Sequence, residues 1–360
     1  MKFSEAINTI ELVLESGDVP LIIGEAGIGK TSLVKKICKE KNYYLVNIDA
    51  NLLKEGEIGG LPIVEKGKTK YATHYKLIEM EEAIRNDNYD GVLLFIDELN
   101  RCEHAVQQEL MNLILNREIN GYVLDGNIKI VAAMNPSNKY DNFESSDYQV
   151  IDMDKAQEDR FVWLELSSDI KEWIKWAMSS EVCINNHIIE FLSTFPEYLS
   201  NPNSNEYIKA TPRSWERVAK AYDIYIKSNN YSVDTLYNVI KGNVGVSIAT
   251  DFINYIKNIK NPLIKPEDIF EYIILPMELK EEIRKESHSR LYILSKHLLR
   301  YLEENNSENN RKIFSDLLTC YPKDLRLGIL KEIKLDASKN LYKSLLNEDM
   351  FLDAFFSIFE

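Results

Sequence analysis

Short unbroken apolar runs alternate, through the first half of the chain, with stretches whose apolar residues recur at helical spacing. The opening stretch "MKFSEAINTIELVLESG" sets Ile7, Ile10 and Leu14 on one face with acids between them. It predicts an amphipathic helix rather than a signal peptide. Next, "VPLII" (Val19–Ile23) predicts a buried strand, Lys30–Lys41 a helix and "YYLVNID" (Tyr43–Asp49) a second strand. An irregular glycine-bearing stretch precedes a helix over His74–Asn86 and the strand "GVLLFIDE" (Gly91–Glu98). A helix over Glu103–Asn116 gathers Val106, Leu110, Leu113 and Ile114, and "IKIVAAMN" (Ile128–Asn135) and "FVWLEL" (Phe161–Leu166) complete the strands. Unbroken apolar strands separated by helices imply a parallel sheet covered on both faces. From Asp169 onward helical patterns dominate, with breaks at Pro196–Asn205, Asn229–Ser232 and Asn258–Pro262, so the second part reads as all-helical without internal repeats.

Composition narrows the classes. The 360 residues suffice for about two domains and a sizeable core. Lys and Arg total 43 against 57 Asp and Glu, a net charge of −14. Such a surface repels phosphate backbones and disfavours broad nucleic-acid binding. Cys38, Cys102, Cys183 and Cys320 lack paired spacing for zinc or redox chemistry and read as reduced thiols of a cytoplasmic protein. The histidines contain no His-x-x-x-His pair, so a histidine metal site is not expected. No apolar run approaches the roughly 18 residues of a membrane span, and no membrane association is expected.

Three motifs carry chemistry. "GEAGIGKTS" runs Gly24, Glu25, Ala26, Gly27, Ile28, Gly29, Lys30, Thr31, Ser32 directly after the first strand and opens the next helix. Its glycines let the loop curl so that backbone N–H groups face phosphates, and the helix adds its positive dipole end. Lys30 is expected at the phosphates of a nucleotide and the Thr31 hydroxyl on Mg²⁺. Chance supplies this pattern in about one chain of this length in a hundred, and the flanking strand and helix lower that further. "LLFIDELNR" (Leu93–Arg101) then ends a central strand in an acid pair, where open parallel sheets bind ligands. Asp97 would hold Mg²⁺ and Glu98 would orient and polarise the attacking water. Taken alone, that pair is an ordinary helix-starting motif; after a phosphate loop it reads as functional. Asn135, in "VAAMNP", ends the following strand. Asn-Pro alone signals a turn, but at this strand tip the amide is placed to share the water with Glu98 and sense the γ-phosphate.

In this order, with "AQEDRF" (Ala156–Phe161) and "TPRSW" (Thr211–Trp215) added, the motifs resemble an AAA+ ATPase over roughly residues 1 to 260, and more narrowly its MoxR-like branch. The resemblance implies an α/β P-loop NTPase core, a parallel sheet sandwiched by helices, over residues 1–166. An all-α lid over 167–262 and a helical C-terminal extension over 263–360 follow. It implies that Arg160 is an arginine finger reaching the neighbouring subunit's ATP; otherwise Arg160 is a surface arginine paired with Asp159. Arg213 resembles the second sensor; Thr211 and Pro212 read locally as N-cap and first helical residue, which sets Arg213 awkwardly against the helix dipole unless it meets an anion. Arg101 reads equally as an interface arginine or a solvated helix-start residue. Asn47, ending the second strand, reads as a turn-proximal amide or as a residue that couples Glu98 to a partner.

The segment Glu57–Tyr75 reads as a hairpin, "PIVE" and "KYAT" flanking "KGKT", and resembles the branch's projecting insertion; it is either a gripping element or an exposed loop. The polar segment Ser137–Asp154 is long for a connection. The closing "MFLDAFFSIFE" is either an interaction site or a helix docked on its own domain. A trans finger implies a ring of identical subunits, read as a hexamer. The branch implies chaperone-like remodelling or maturation of a partner protein, often one with a von Willebrand factor A domain. Two other classes are a nucleotide-gated binding module with little turnover, disfavoured by Asp97 and Glu98, and a DNA-linked motor, disfavoured by the acidic charge.

Overall fold

Helix α1 (Phe3–Ser16) buries Ala6, Ile7, Ile10, Val13 and Leu14 along one stripe and stops at Gly17, whose φ of 87° supplies a left-handed C-cap. The computed structural model describes residues 1–360 except 87, 140–147, 149, 180–181, 203, 229, 259–262 and 358–360. After α1 come β1 (Pro20–Ile23), α2 (Lys30–Glu40), β2 (Tyr43–Asp49), a hairpin β3 (Pro62–Glu65) and β4 (Lys68–Tyr71), and α3 (Tyr75–Ile84). Then follow β5 (Gly91–Asp97), α4 (His104–Met111), the short pair β6 (Glu118–Ile119) and β7 (Tyr122–Val123), β8 (Ile128–Met134), α5 (Lys155–Glu158) and β9 (Val162–Glu165).

The main sheet has five strands in the order β2-β5-β8-β1-β9, and every neighbouring pair is parallel. Both faces are dry. Val92, Leu94 and Ile96 of β5 pack with Leu21, Ile130 and Ala132 on one side. Leu93 and Phe95 pack with Ile22, Val131 and the apolar faces of α1 and α2 on the other. Burial on both faces is why these strands read as continuous apolar runs rather than alternating ones. Strand β1 lies between β8 and β9, while the chain leaving it pairs at the far edge in β2. It is at the carboxyl ends of strands beside such a reversal that open α/β sheets receive ligands.

Three local features differ from the sequence reading. The β3–β4 turn is the two residues Lys66 and Gly67, with φ of 51° and 73°, rather than all of "KGKT". Positive φ at both positions is the twist-matched hairpin turn. The helix expected over Glu103–Asn116 gives way at Asn112 to a π-helical turn, Asn112–Asn116, closed by Arg117 at φ 54°. Wider i to i+5 hydrogen bonding keeps the apolar face but lies outside any 3.6-residue periodicity. The β6–β7 hairpin was not anticipated, although its Asn120-Gly121 turn is a strong local signal.

The remaining helices include α6 (Ile170–Ala177), α7 (Asn186–Thr194), α8 (Pro212–Lys227), α9 (Val233–Val244) and α10 (Val246–Asn258), and run on from α11 (Pro266–Phe270) to α17 (Asp349–Phe356). The chain forms two compact units. One comprises residues 1–173, 199–217 and 243–245; the other comprises 174–198, 218–242 and 246–360. Within the second, α17 is docked: Phe351, Ala354 and Phe355 join a core with Ile269, Leu298 and Phe314. Positions 358–360 of the closing stretch lie outside the described residues, as do 140–147 and 149 of the long connection. Among the described residues no helix is long and apolar enough to cross a membrane.

Candidate nucleotide site

The loop between β1 and α2 turns through Gly27 and Gly29, whose φ values of 77° and 109° lie in the left-handed region. Gly27 is also a close approach, since a Cβ there would lie 2.8 Å from Thr211 Oγ1. Lys30, the first residue of α2, is buried, and its Nζ donates to Gly24 O at 2.5 Å, Glu25 O at 3.2 Å and Asn135 Oδ1 at 2.9 Å. Burial lowers its pKa to about 8, against the pull of Asp97, Glu98 and Glu25; Arg213 lowers it further. Ile28 packs into the core beneath α1 and α2, and Ser32 is exposed. The Ala26 N–H donates to the Tyr148 hydroxyl at 3.0 Å, and that hydroxyl donates to Glu25 Oε2 at 2.8 Å. Burial pushes the tyrosine up to about 12, so it stays a donor across the working pH range.

Opposite the loop, β5 delivers its acids. Thr31 Oγ1 donates to Asp97 Oδ2 at 2.8 Å, and the Glu98 N–H donates to Asp97 Oδ1 at 3.0 Å. Glu98 sits at φ 56°, a strained backbone for a residue other than glycine and a conformation that clusters at functional sites. Its carboxylate accepts from Arg101 Nη1 at 2.9 Å. Asn135 follows the last residue of β8 and is buried; its Oδ1 faces Lys30, and its Nδ2 has no hydrogen-bond partner among the described residues. A buried donor without an acceptor costs about 1–3 kcal/mol. Its position beside an ammonium points to an anion or an ordered water as its complement. The hydroxyl of Thr31 and the carboxylate of Asp97 are hard oxygen donors of the kind Mg²⁺ takes. The donor set therefore fits a magnesium–phosphate ligand: one cation, one unfilled amide donor and a hydroxyl–carboxylate pair.

The expected arginines are placed differently from one another. Arg213 lies in the first turn of α8, where its N–H donates to Gly27 O at 3.2 Å, so the helix start touches the loop directly. Thr211 caps that turn through Ser214 N at 3.1 Å, as the sequence suggested. Arg160 is exposed, one residue before Phe161, and its guanidinium has no hydrogen bond or ion pair among the described residues. The pairing with Asp159 is not formed. Arg160 borders a concavity of about 340 Å³ lined by Gln108, Met111, Asn112, Asn116 and Gln157, on the side of the π-helical turn. Arg101 is exposed and its guanidinium pairs with Glu98. Asn47 is exposed within β2 and makes no hydrogen bond to Glu98 among the described residues.

Two residues escaped sequence reasoning. Asn100, inside "DELN", is buried and clamps Asn135: its Nδ2 donates to Asn135 O at 2.8 Å, and its Oδ1 accepts from Asn135 N at 3.3 Å. Nothing local marks it, since its partner is 35 positions away. Tyr148 comes from the polar connection, which has no periodicity to read. Cys38 and Cys102 are buried, and burial raises both thiols to about 11, which removes them as nucleophiles at neutral pH.

Residues 20–161 match the family described as AAA domain (dynein-related subfamily). Among solved structures, the Thermotoga maritima RuvB Holliday junction branch migration motor is 19% identical, with a TM-score of 0.37 over 79% of this chain and 74% of that one. A variant of the same protein gives 19% and 0.38 over 75% of each chain. A Cytophaga hutchinsonii protein named as a candidate ATPase gives 14% and 0.33 over 96% of this chain and 89% of that one. At these TM-scores the likenesses carry no functional weight. No curated protein matches the chain.

Proposed function

We propose, from the match of residues 20–161 to the AAA domain (dynein-related subfamily) and from the geometry of the site, that the chain is a magnesium-dependent ring ATPase of the MoxR-like branch that remodels or matures a partner protein. One observation carries the catalytic part. Lys30, Thr31, Asp97, Glu98 and Asn135 converge at the carboxyl ends of β1, β5 and β8, and a buried amide donor beside the ammonium lacks an acceptor.

In this reading the Lys30 ammonium exchanges the carbonyls of Gly24 and Glu25 for phosphate oxygens, and Asn135 Nδ2 finds its acceptor on the γ-phosphate or the attacking water. The backbone N–H groups of residues 24–32 cradle the phosphates, which requires the Tyr148 hydroxyl to leave the Ala26 N–H. Thr31 and Asp97 hold Mg²⁺, which when bound neutralises charge on the β- and γ-phosphate oxygens. Glu98, released from Arg101, orients the water and takes up its proton. Arg213, anchored at the loop by its own backbone, offers its side chain to the phosphates. Arg160, exposed and unpaired among the described residues, serves the nucleotide of the next protomer, so that the site is complete only in a ring, for which a hexamer is the working number. The client is taken to be a protein, with a von Willebrand factor A domain the first to test, and the location cytoplasmic.

The test is Glu98→Gln. The substitution keeps the shape and the loop but removes the proton acceptor. Turnover is expected to fall about 10²–10⁴-fold while ATP affinity, measured by nucleotide titration with Mg²⁺, stays near the parent value. Hydrolysis at the parent rate would overturn the assignment of Glu98, and a parent that neither binds nor hydrolyses ATP would overturn the whole reading.

A further inference from the structure

Asn100 occupies a junction that the catalytic reading leaves unused. Its side chain forms a two-point clamp on the backbone of Asn135, donating to the carbonyl at 2.8 Å and accepting from the N–H at 3.3 Å. A carboxamide is the side chain that offers a donor and an acceptor side by side at that reach. The residue is 2% exposed, so water cannot replace either bond. The neighbouring Leu99 N–H donates to Ala133 O at 3.0 Å, which laces the end of β5 to the end of β8. The main-chain carbonyl of Asn100 meanwhile accepts from Ile151 N at 2.8 Å.

Beyond Ile151 the chain is tied down as far as Arg160. Asp152 accepts from Ser137 Oγ at 2.9 Å and pairs with Lys139. Met153 and Phe161 are buried in the core beneath the sheet. Between them Asp154 and Gln157 form a capping box at the start of α5, and Trp163 Nε1 donates to Glu158 O at 2.9 Å. The segment is thus a short stiff piece with Ile151 at one end and Arg160 at the other. Asn135, at the opposite side of the clamp, shares its Oδ1 with Lys30. Hydrogen bonds thus run from the Asn135 backbone through Asn100 to Ile151, at the start of the segment that bears Arg160.

We infer that Asn100 is a positioning residue that couples the Asn135 amide of one protomer to the placement of Arg160 against the nucleotide of the next. The inference rests on the reading of Asn135 as phosphate-facing and of Arg160 as a finger acting in trans, and its test separates the two. Asn100→Asp keeps the shape and the bond from Asn135 N–H, but sets a carboxylate against Asn135 O where a donor stood.

The experiment is complementation between inactive protomers carrying one defect each. Arg160→Ala retains its own site but donates no finger; Glu98→Gln has no catalytic carboxylate but donates one. Mixing the two is expected to restore turnover. If that mixture stays inactive, the trans finger itself is wrong. The second mixture replaces the donor by Glu98→Gln carrying Asn100→Asp, and turnover is expected to fall about 10–100-fold below the first mixture, with the double variant binding ATP as tightly as Glu98→Gln. Equal turnover in both mixtures overturns the inference. Loss of ATP affinity in the double variant also overturns it, because Asn100 would then hold the loop rather than the finger. Asp152→Asn, in the same donor background, weakens the tie of the segment to Ser137 and Lys139 without touching the buried clamp. It is expected to lower complementation in the same sense, and a double variant that fails to fold leaves this arm to decide: undiminished turnover here overturns the inference.

Discussion

Lys30 shows how a single residue can be poised by its surroundings. Its ammonium is held at about 8 because burial outweighs the nearby carboxylates, well below its ordinary 10.5. The sign of the consequence follows directly. Below pH 8 the side chain is charged in both free protein and complex, so ATP affinity is flat. Above pH 8 the free protein loses the proton that the triphosphate wants retained, and affinity falls by up to tenfold per unit until the pKa of the complex is reached. Folding responds in the opposite sense. The unfolded chain keeps the proton up to its higher pKa, so the nucleotide-free fold gains stability between about pH 8 and 10.5. Nucleotide titrations at pH 7.5 and 9.5 check the first claim, with Lys30→Gln as the pH-insensitive reference; a flat parent profile would remove the ammonium from the phosphate site. At this scale the sequence was legible wherever chemistry is local. Gly24 to Ser32, Asp97, Glu98 and Asn135 lie at strand ends that the apolar runs locate. Asn100 and Tyr148 were not legible, because their meaning comes from partners 35 and 122 positions distant.

Elements were legible to the extent that burial imposed a period. All five strands of the sheet were read because their positions are mostly apolar, the central strands β1, β5 and β8 being dry on both faces. The π-helical turn Asn112–Asn116 was not, since its hydrogen bonding shifts by one residue while Leu113 and Ile114 remain buried. The hairpin β3–β4 is a third case. Its existence was read from the turn chemistry, yet no period shows what it packs against, and every residue from Leu61 to Ala72 is exposed, Val64 at 80%. An element that buries nothing contributes little to the fold. Replacing Pro62–Tyr71 with a short glycine-serine turn is therefore expected to change stability by no more than about 1 kcal/mol and to leave basal ATP turnover intact. Leu61 O still receives the Ala72 N–H, so the base of the insertion keeps its closure. Thermal melting and a turnover assay on the shortened chain check this. A large loss of stability would show that the hairpin is packed in solution, and unchanged stability leaves its exposed Ile63, Val64 and Tyr71 for a partner.

For the whole molecule, sequence order concealed how the chain is divided. Residues 199–217 and 243–245 return to the first unit from within the stretch read as one all-helical part, and this return brings Arg213 to Gly27. No pattern along the chain encodes such a crossing. Charge is the other whole-molecule property, and it bears on assembly. Each protomer carries −14, so protomers repel one another over the Debye length, about 10 Å at 0.1 M salt. The finger contact proposed for Arg160 would act at hydrogen-bond range and so be screened much less. Moderate salt should consequently favour assembly. Turnover per protomer is expected to rise with protein concentration as rings form, and the half-maximal concentration should move lower between 0.05 and 0.2 M salt, where screening of the repulsion strengthens. Arg160→Ala should bind ATP normally, assemble, and stay about 10³-fold or more below the parent at every concentration. The measurement is specific activity over a dilution series, with oligomeric state followed by sedimentation in the same buffers. Turnover per protomer that holds constant down to concentrations where only monomers sediment would mean that each chain completes its own site, and Arg160 would then have no part in it.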